Sequence, residues 1–176
     1  MVNPAEAWHF HNLDDVTRDL MSQEFEANIV TGTVYQSKRF TSRGRADHHG
    51  LFREAIEAGT PDSLTAAFER DGRIAQTELG HRKVPNTAAA SFAAGEFNRY
   101  YIRAICLRAI ASDAQYIRVY RARRSAEHRA TSDAIVGSQL LADQVLEDAR
   151  RDPAAGGTPL FGVPGGPNSG LSIELL

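Results

Sequence analysis

The sequence predicts an α+β domain, and three observations carry that prediction. The stretch from Thr87 to Ala111 begins Ala-rich and continues through Phe97, Tyr100, Tyr101, Ile102, Ile105, Cys106, Leu107 and Ile110, the pattern of a long, largely buried helix. After a short Ser112-Asp113-Ala114 turn, Gln115 to Arg121 concentrates the β-formers Tyr116, Ile117, Val119 and Tyr120. Finally, Leu, Ile, Val and Phe together number only 39 of 176 residues, against 26 Ala. That balance suits an Ala-rich helical domain with a small sheet and not a large all-β core. The expected architecture is a long central helix, shorter helices and a small antiparallel sheet, with extended N- and C-terminal arms.

Taken in order, residues 1–12 read as an irregular arm with Trp8 and Phe10 as anchors, and 13–151 as a single α+β domain. Leu13 to Phe25 has Leu13, Val16, Leu20 and Met21 at helical spacing. Asn28 to Phe40 reads as extended, because Ile29, Val30, Thr31, Thr33, Val34 and Tyr35 are β-formers and Gly32 interrupts them like a bulge or turn. Thr41 to Arg45 is expected to be a polar, basic loop.

His48 to Ala58 is helical, with Leu51, Phe52, Ala55 and Ile56 on one face and Arg53, Glu54 and Glu57 on the other. Gly59 ends it, and Thr60-Pro61-Asp62-Ser63 restarts a helix with a cap residue, Pro and an acid in the first turn. Arg73 to Pro85 is a loop or short strand. Within the long helix Gly95 marks a break or close packing, since Gly costs about 1 kcal/mol relative to Ala. Ser138 to Arg150 carries Leu141, Val145 and Ala149 on one stripe and reads as a terminal helix. Residues 152–176 form a Gly/Pro-rich arm ending in Leu171-Ser172-Ile173-Glu174-Leu175-Leu176, whose alternation suits an edge strand.

The net charge of −2 hides segregation. Residues 1–30 carry −5, 31–45 carry +4, 46–96 carry −3, 97–129 carry +6 and 130–152 carry −3. Such blocks pair within one subunit or across copies. Eighteen of the 20 basic residues are Arg, suited to bidentate pairing with carboxylate or phosphate. No apolar run approaches the ~18 residues needed to span a membrane. Asp14, Asp15 and Asp19 stand where a signal peptide wants basic and then apolar residues, so secretion is not expected. The single Cys106 makes no internal disulfide and points to a reducing compartment.

Candidate chemistry is sparse. Asp47-His48-His49 offers imidazole and carboxylate, but adjacent histidines at a helix start diverge, and no second spaced cluster accompanies them. No GxSxG surrounds a Ser, Cys106 sits in an apolar helix, and Gly165 to Gly170 lacks the Lys of a phosphate loop. Glu96 beside Arg99 and Arg103 reads as a structural ion pair. No catalytic residue, metal or cofactor is assigned. Arg118, Arg121, Arg123 and Arg124, interleaved with Tyr116 and Tyr120, form the strongest basic feature, suited to phosphate and base stacking or to acids across an interface.

The run Gly95-Glu96-Phe97-Asn98-Arg99-Tyr100-Tyr101-Ile102-Arg103, continuing to Val119-Tyr120-Arg121-Ala122, with Gly165-Gly166-Pro167-Asn168 in the tail, resembles segments of small structural proteins of tailed bacteriophages and prophages. The resemblance covers about a third of the chain and implies a virion component near the head, with no chemistry attached.

The expected function is therefore that of a structural, non-enzymatic subunit of a multi-copy assembly, a phage or phage-derived particle, located in a virion or bacterial cytoplasm. Leu171, Ile173 and Leu175 of the tail, and Trp8 and Phe10 of the arm, would dock on neighbours, which are further copies or other proteins of the particle. The four Arg would pair across the interface. Two alternatives stand beside it: a nucleic-acid-binding module using the 116–124 strand, not favoured by the net charge, and an accessory or cargo protein docked on a shell through its tail.

Overall fold

The long helix forms without a break and is the axis of the fold. The computed structural model describes residues 7–78, 81–123, 133–151, 162–163 and 170–176. Within them the helices are α1 (Asp15–Thr31), α2 (Ser42–Ala58), α3 (Pro61–Glu69), α4 (Ala88–Ala111) and α5 (Ala142–Ala149), and the strands are β1 (Tyr116–Arg121), β2 (Gln139–Leu141) and β3 (Leu171–Leu175). The strands make one antiparallel sheet in the order β2-β1-β3. The fold is α+β.

Helix α4 is buried all round: Phe92, Phe97, Tyr101, Ile102 and Ile105 are covered, and so are Glu96, Asn98, Arg99 and Arg103. Helices α1 and α3 pack on it, and α5 and the sheet cover its other sides. Helix α1 runs antiparallel to α4, since Asp14 meets Arg108 and Asn28 meets Tyr100. Helix α2 runs antiparallel to α1, with Phe25 on Phe52 at 4.8 Å and Arg18 donating to the Ile56 carbonyl at 2.6 Å. The end of α3 returns to the start of α4, where Phe68 lies 5.2 Å from Phe92. The four helices therefore alternate in direction, although only the α2–α3 connection is short.

Helix α3 starts as its sequence predicts, with Thr60 as N-cap, a reciprocal Thr60–Ser63 capping box and Pro61 in the first turn. Three other segments differ from expectation. The β-formers at 28–31 are the last turn of α1, not a strand. Met21 and Phe25 bury one face of this helix, and Asn28 Oδ1 accepts from Tyr100 Oη at 2.9 Å and Arg103 at 2.6 Å. These tertiary contacts override the local β-propensity of Ile29 and Val30. Gly32 then ends the helix at φ 70°, its N–H reaching the carbonyls of Asn28 and Ile29.

The basic stretch 42–45 is helical, not a loop. Thr41 caps α2 by accepting from Gly44 N at 3.1 Å and donating to the Gly72 carbonyl at 2.8 Å, which starts the helix six residues before His48. Ser138 to Arg150 is not one helix either. Gln139–Leu141 pair with β1 and the helix begins only at Ala142.

The predicted terminal arms are built into the domain where they are described. Leu171 and Ile173 belong to the same apolar core as Phe25, Phe97, Ile105 and Val145, and Phe10 and Leu13 pack against it. Residues 1–6 and 152–161 and 164–169 of the expected arms lie outside the described residues.

Because α2 starts early, His48 falls in its middle and is 1% exposed. Rings of Phe92 (5.3 Å), Phe40 (5.4 Å), Phe68 (6.0 Å), Phe52 (6.1 Å) and Phe25 (6.4 Å) surround it. Its Nδ1 has no hydrogen-bond partner among the described residues. Burial, with a smaller contribution from His49, pushes its pKa down from 6.5 to about 4.

Helix α4 also holds a buried polar layer. Arg103 donates to the Ala149 carbonyl at 2.9 Å, approaches Glu24 at 3.7 Å, and lies over the Tyr100 ring at 4.8 Å. Arg99 pairs with Glu96 one turn earlier, so the expected structural ion pair is present and buried. Burial raises the Glu96 carboxyl pKa, and Arg99 opposes that shift. Breaking such a pair strands a buried charge, which costs several kcal/mol.

Two outcomes follow. A Cβ added at Gly95 meets nothing within 4 Å, so Gly95→Ala should raise stability by about 1 kcal/mol in denaturant melts. The unfolded chain protonates His48 near pH 6.5, whereas the folded protein does so only near 4. Its contribution is complete above the unfolded pKa and falls by up to ~3 kcal/mol as pH drops through that window. His48→Phe should flatten this part of the stability–pH profile relative to the parent, measured by urea melts across the window.

Candidate functional site

The residues singled out for docking converge on the sheet. Strand β1 is its centre: Val119 exchanges main-chain hydrogen bonds with Gly137 (2.8 Å) and Ser138 (2.9 Å) beside β2, while Arg118 to Arg121 lie opposite Glu174 to Leu171 of β3. At the start of β3, Gly170 adopts φ 65° and its added Cβ would collide with the Arg123 carbonyl, so only Gly fits this approach.

The N-terminal segment is laid across the same strands. His9 N donates to the Ala122 carbonyl at 2.7 Å. Tyr120 Oη donates to the His9 carbonyl at 2.9 Å and accepts from His11 N at 3.1 Å. The His11 ring stacks on Tyr120 at 4.0 Å, and its Nδ1 meets Glu174 at 2.5 Å. Arg118 Nε donates to the other Glu174 oxygen at 2.7 Å. Burial raises the Glu174 pKa, but the bonds from His11 and Arg118 outweigh it and hold the carboxyl below its ordinary value. Asn12 accepts from Leu175 N at 3.0 Å, and its own N–H reaches Tyr101 Oη at 3.2 Å.

The far end of β3 is held from α4. Asn98 donates to the Leu171 carbonyl at 2.8 Å and accepts from Ser172 Oγ at 2.6 Å. Side chains thus occupy main-chain groups at both ends of β3, one of the ways an edge strand is kept from pairing elsewhere.

Each residue expected to face a partner has a place here. Leu171 and Ile173 are fully buried and Leu175 is half-buried. Trp8 stacks on Phe10 at 5.3 Å, and Phe10 packs on Tyr101 at 4.5 Å. Arg118 pairs with Glu174, and Arg121 pairs with Asp133 at 2.5 Å. Arg123 is likewise not free, and Arg124 lies outside the described residues. His11, Asn12, Asn98, Tyr101 and Tyr120, which knit the termini together, carry no sequence signal beyond their polarity. They are found only once the strands are in register.

Open apolar surface lies at one end of the molecule. There α1 starts, α4 ends, β1 begins and β3 finishes, leaving Val16, Ile110, Tyr116 and Leu176 exposed. A groove of about 490 Å³ runs between Val16, Leu20, Leu107 and Ala111. At the opposite end a groove of about 690 Å³ is lined by Ile74, Gln76, Lys83, Val84, Asn86 and Ala88. Among the described residues no three His, Cys, Asp or Glu side chains converge as metal ligands, and no helix is long and apolar enough to cross a membrane. Burial pushes the Cys106 thiol up to about 12, which keeps it protonated and poorly nucleophilic.

Since Leu171 and Ile173 are core residues, Leu171→Asp with Ile173→Asp should abolish the cooperative thermal transition of the whole domain. Circular dichroism melts check this, and a near-parental melt would mean that β3 docks only loosely.

No protein-family model matches the chain, and no curated protein or solved structure is significantly similar to it.

Proposed function

We propose that this chain is a structural subunit of a multi-copy protein assembly, and the resemblance of its 95–122 region makes a bacteriophage or phage-derived particle the setting. The observation that carries this reading is the apolar end formed by Val16, Ile110, Tyr116 and Leu176, beside the groove of Val16, Leu20, Leu107 and Ala111. Apolar side chains exposed at one end, beside a groove that Asp19, Gln23, Arg108 and Ser112 also line, suit protein–protein contact. Leu176, just after β3, is exposed at this end and adds to it, while Leu171 and Ile173 anchor the strand to the core.

The arginines of β1 support the same reading. Arg118 and Arg121 already hold carboxylates, so they hold the sheet together and offer less free charge to a phosphate backbone.

Light scattering on the full chain over a wide concentration range tests the proposal. A defined oligomer is expected, and Val16→Glu with Ile110→Lys should return it to monomer with an unchanged circular dichroism spectrum. A monomer at every concentration, with no mass gained on mixing with other particle proteins, overturns it.

A further inference from the structure

The alternating directions of α1 to α4 sort the charges by end. At the end where α1 and α3 start and α2 and α4 finish stand Asp15, Asp19, Glu54, Glu57 and Asp62, none of them in an ion pair among the described residues, although the charges of Asp15 and Arg18 attract each other. The bases there are already engaged: Arg18 donates to the Ile56 (2.6 Å) and Gly59 (3.1 Å) carbonyls, Arg53 pairs with Glu26 and Arg108 with Asp14. Asp15, Asp19 and Glu57 line a groove of about 390 Å³ at this end together with Arg18 and Arg53, the latter held by Glu26, next to the apolar surface described above.

The opposite end, where α2 and α4 start and α3 finishes, has the reverse character. Lys38, Arg45, Arg70 and Lys83 are exposed and without an ion-pair partner among the described residues. The acids there are largely consumed: Asp47 and Asp71 by Arg73 and Arg43, and Glu78 by Arg39 and Arg82, leaving Glu69 as the exception. The larger groove at this end is lined by Lys83 and by Glu69, together with Ile74, Val84 and Pro85, and Val30 is 86% exposed in the last turn of α1.

We propose that the acidic, apolar end of one copy docks on the basic groove end of the next copy, so that the subunits associate head to tail. The inference rests on the reading of the chain as a self-assembling subunit and names the surfaces that meet. Each end carries like charges that repel one another and are relieved by the other end of a second copy. Each end also offers apolar area to bury within that charged rim. The contact is heterologous: its two sides are different surfaces, so repetition gives a closed ring or an open filament and not a two-fold dimer. Exposed charges at the rim set the orientation and make the association sensitive to salt.

Sedimentation velocity of the full chain in low and high salt, with two charge-reversed variants, is the test. One variant is Asp15→Lys, Asp19→Lys, Glu57→Lys; the other is Lys38→Glu, Arg45→Glu, Lys83→Glu. The parent is expected to associate in low salt and to dissociate as salt rises. Each variant alone should be monomeric, and mixing the two should restore assembly. The milder Asp19→Asn and Lys83→Gln changes, which perturb folding least, should each shift the parent toward monomer.

If the parent associates and the variants associate as well, or their mixture stays monomeric, the head-to-tail contact is overturned while self-assembly through another surface stands. A parent that is monomeric in all conditions overturns both. Retention of the parent on duplex DNA, lost in the basic-end variant without any change in mass, would instead assign that end to nucleic acid and overturn the proposal.

Discussion

Helix α4 has side chains buried on every face, so every face must be covered by an element that satisfies particular atoms. The apolar residues set only the volume to be filled. The polar ones fix which neighbour goes where: Tyr100 and Arg103 hold Asn28 of α1, Arg103 also reaches the last residue of α5, and Asn98 grips the start of β3. Misplacing any of these elements would leave a buried donor or acceptor without a partner, which costs about 1–3 kcal/mol each. The order of packing around α4 follows from that condition more than from hydrophobicity.

Legibility in the sequence followed how local the cause was. Helix α3 was readable because its cap, proline and acid lie within four residues, and β1 because its alternating β-formers have no competing pattern. Helix α4 was readable from its apolar length, but the partners of its polar groups were not, since those lie far away in sequence. The extended segment expected from Asn28 to Phe40 failed over 28–31, where a distant contact, Asn28 to Tyr100 and Arg103, outweighed local propensity. The same limit applied to the surface where the termini meet. Trp8, Phe10, Leu171 and Ile173 were visible as apolar anchors, but nothing local says that they anchor on their own chain. His48 was legible as a histidine beside another, and its aromatic cage was not.

The charge blocks were plain in the sequence, and the fold gives them two different fates. Some become internal clasps, as with Arg118 and Glu174 or Arg53 and Glu26. The rest are sorted to opposite ends because antiparallel helices carry their first and last turns to alternate poles. A chain with a small net charge thereby acquires a strong axial asymmetry, a property that neither composition nor net charge describes.

The joining of His11 to Glu174 and of Asn12 to Leu175 spans nearly the whole chain. Helices α1 to α3 are neighbours in sequence and form contacts after closing only short loops. The sheet instead brings together segments from both extremes and the middle, and loop closure opposes it until the helical layer has already gathered them. Contacts of such high sequence separation slow folding. By sequence separation the contacts among α1, α2 and α3 close the shortest loops, and those of β3 with His9 to Asn12 close the longest. The few hydrogen bonds that tie these segments together are therefore the contacts whose formation carries the largest loop-closure cost in the fold.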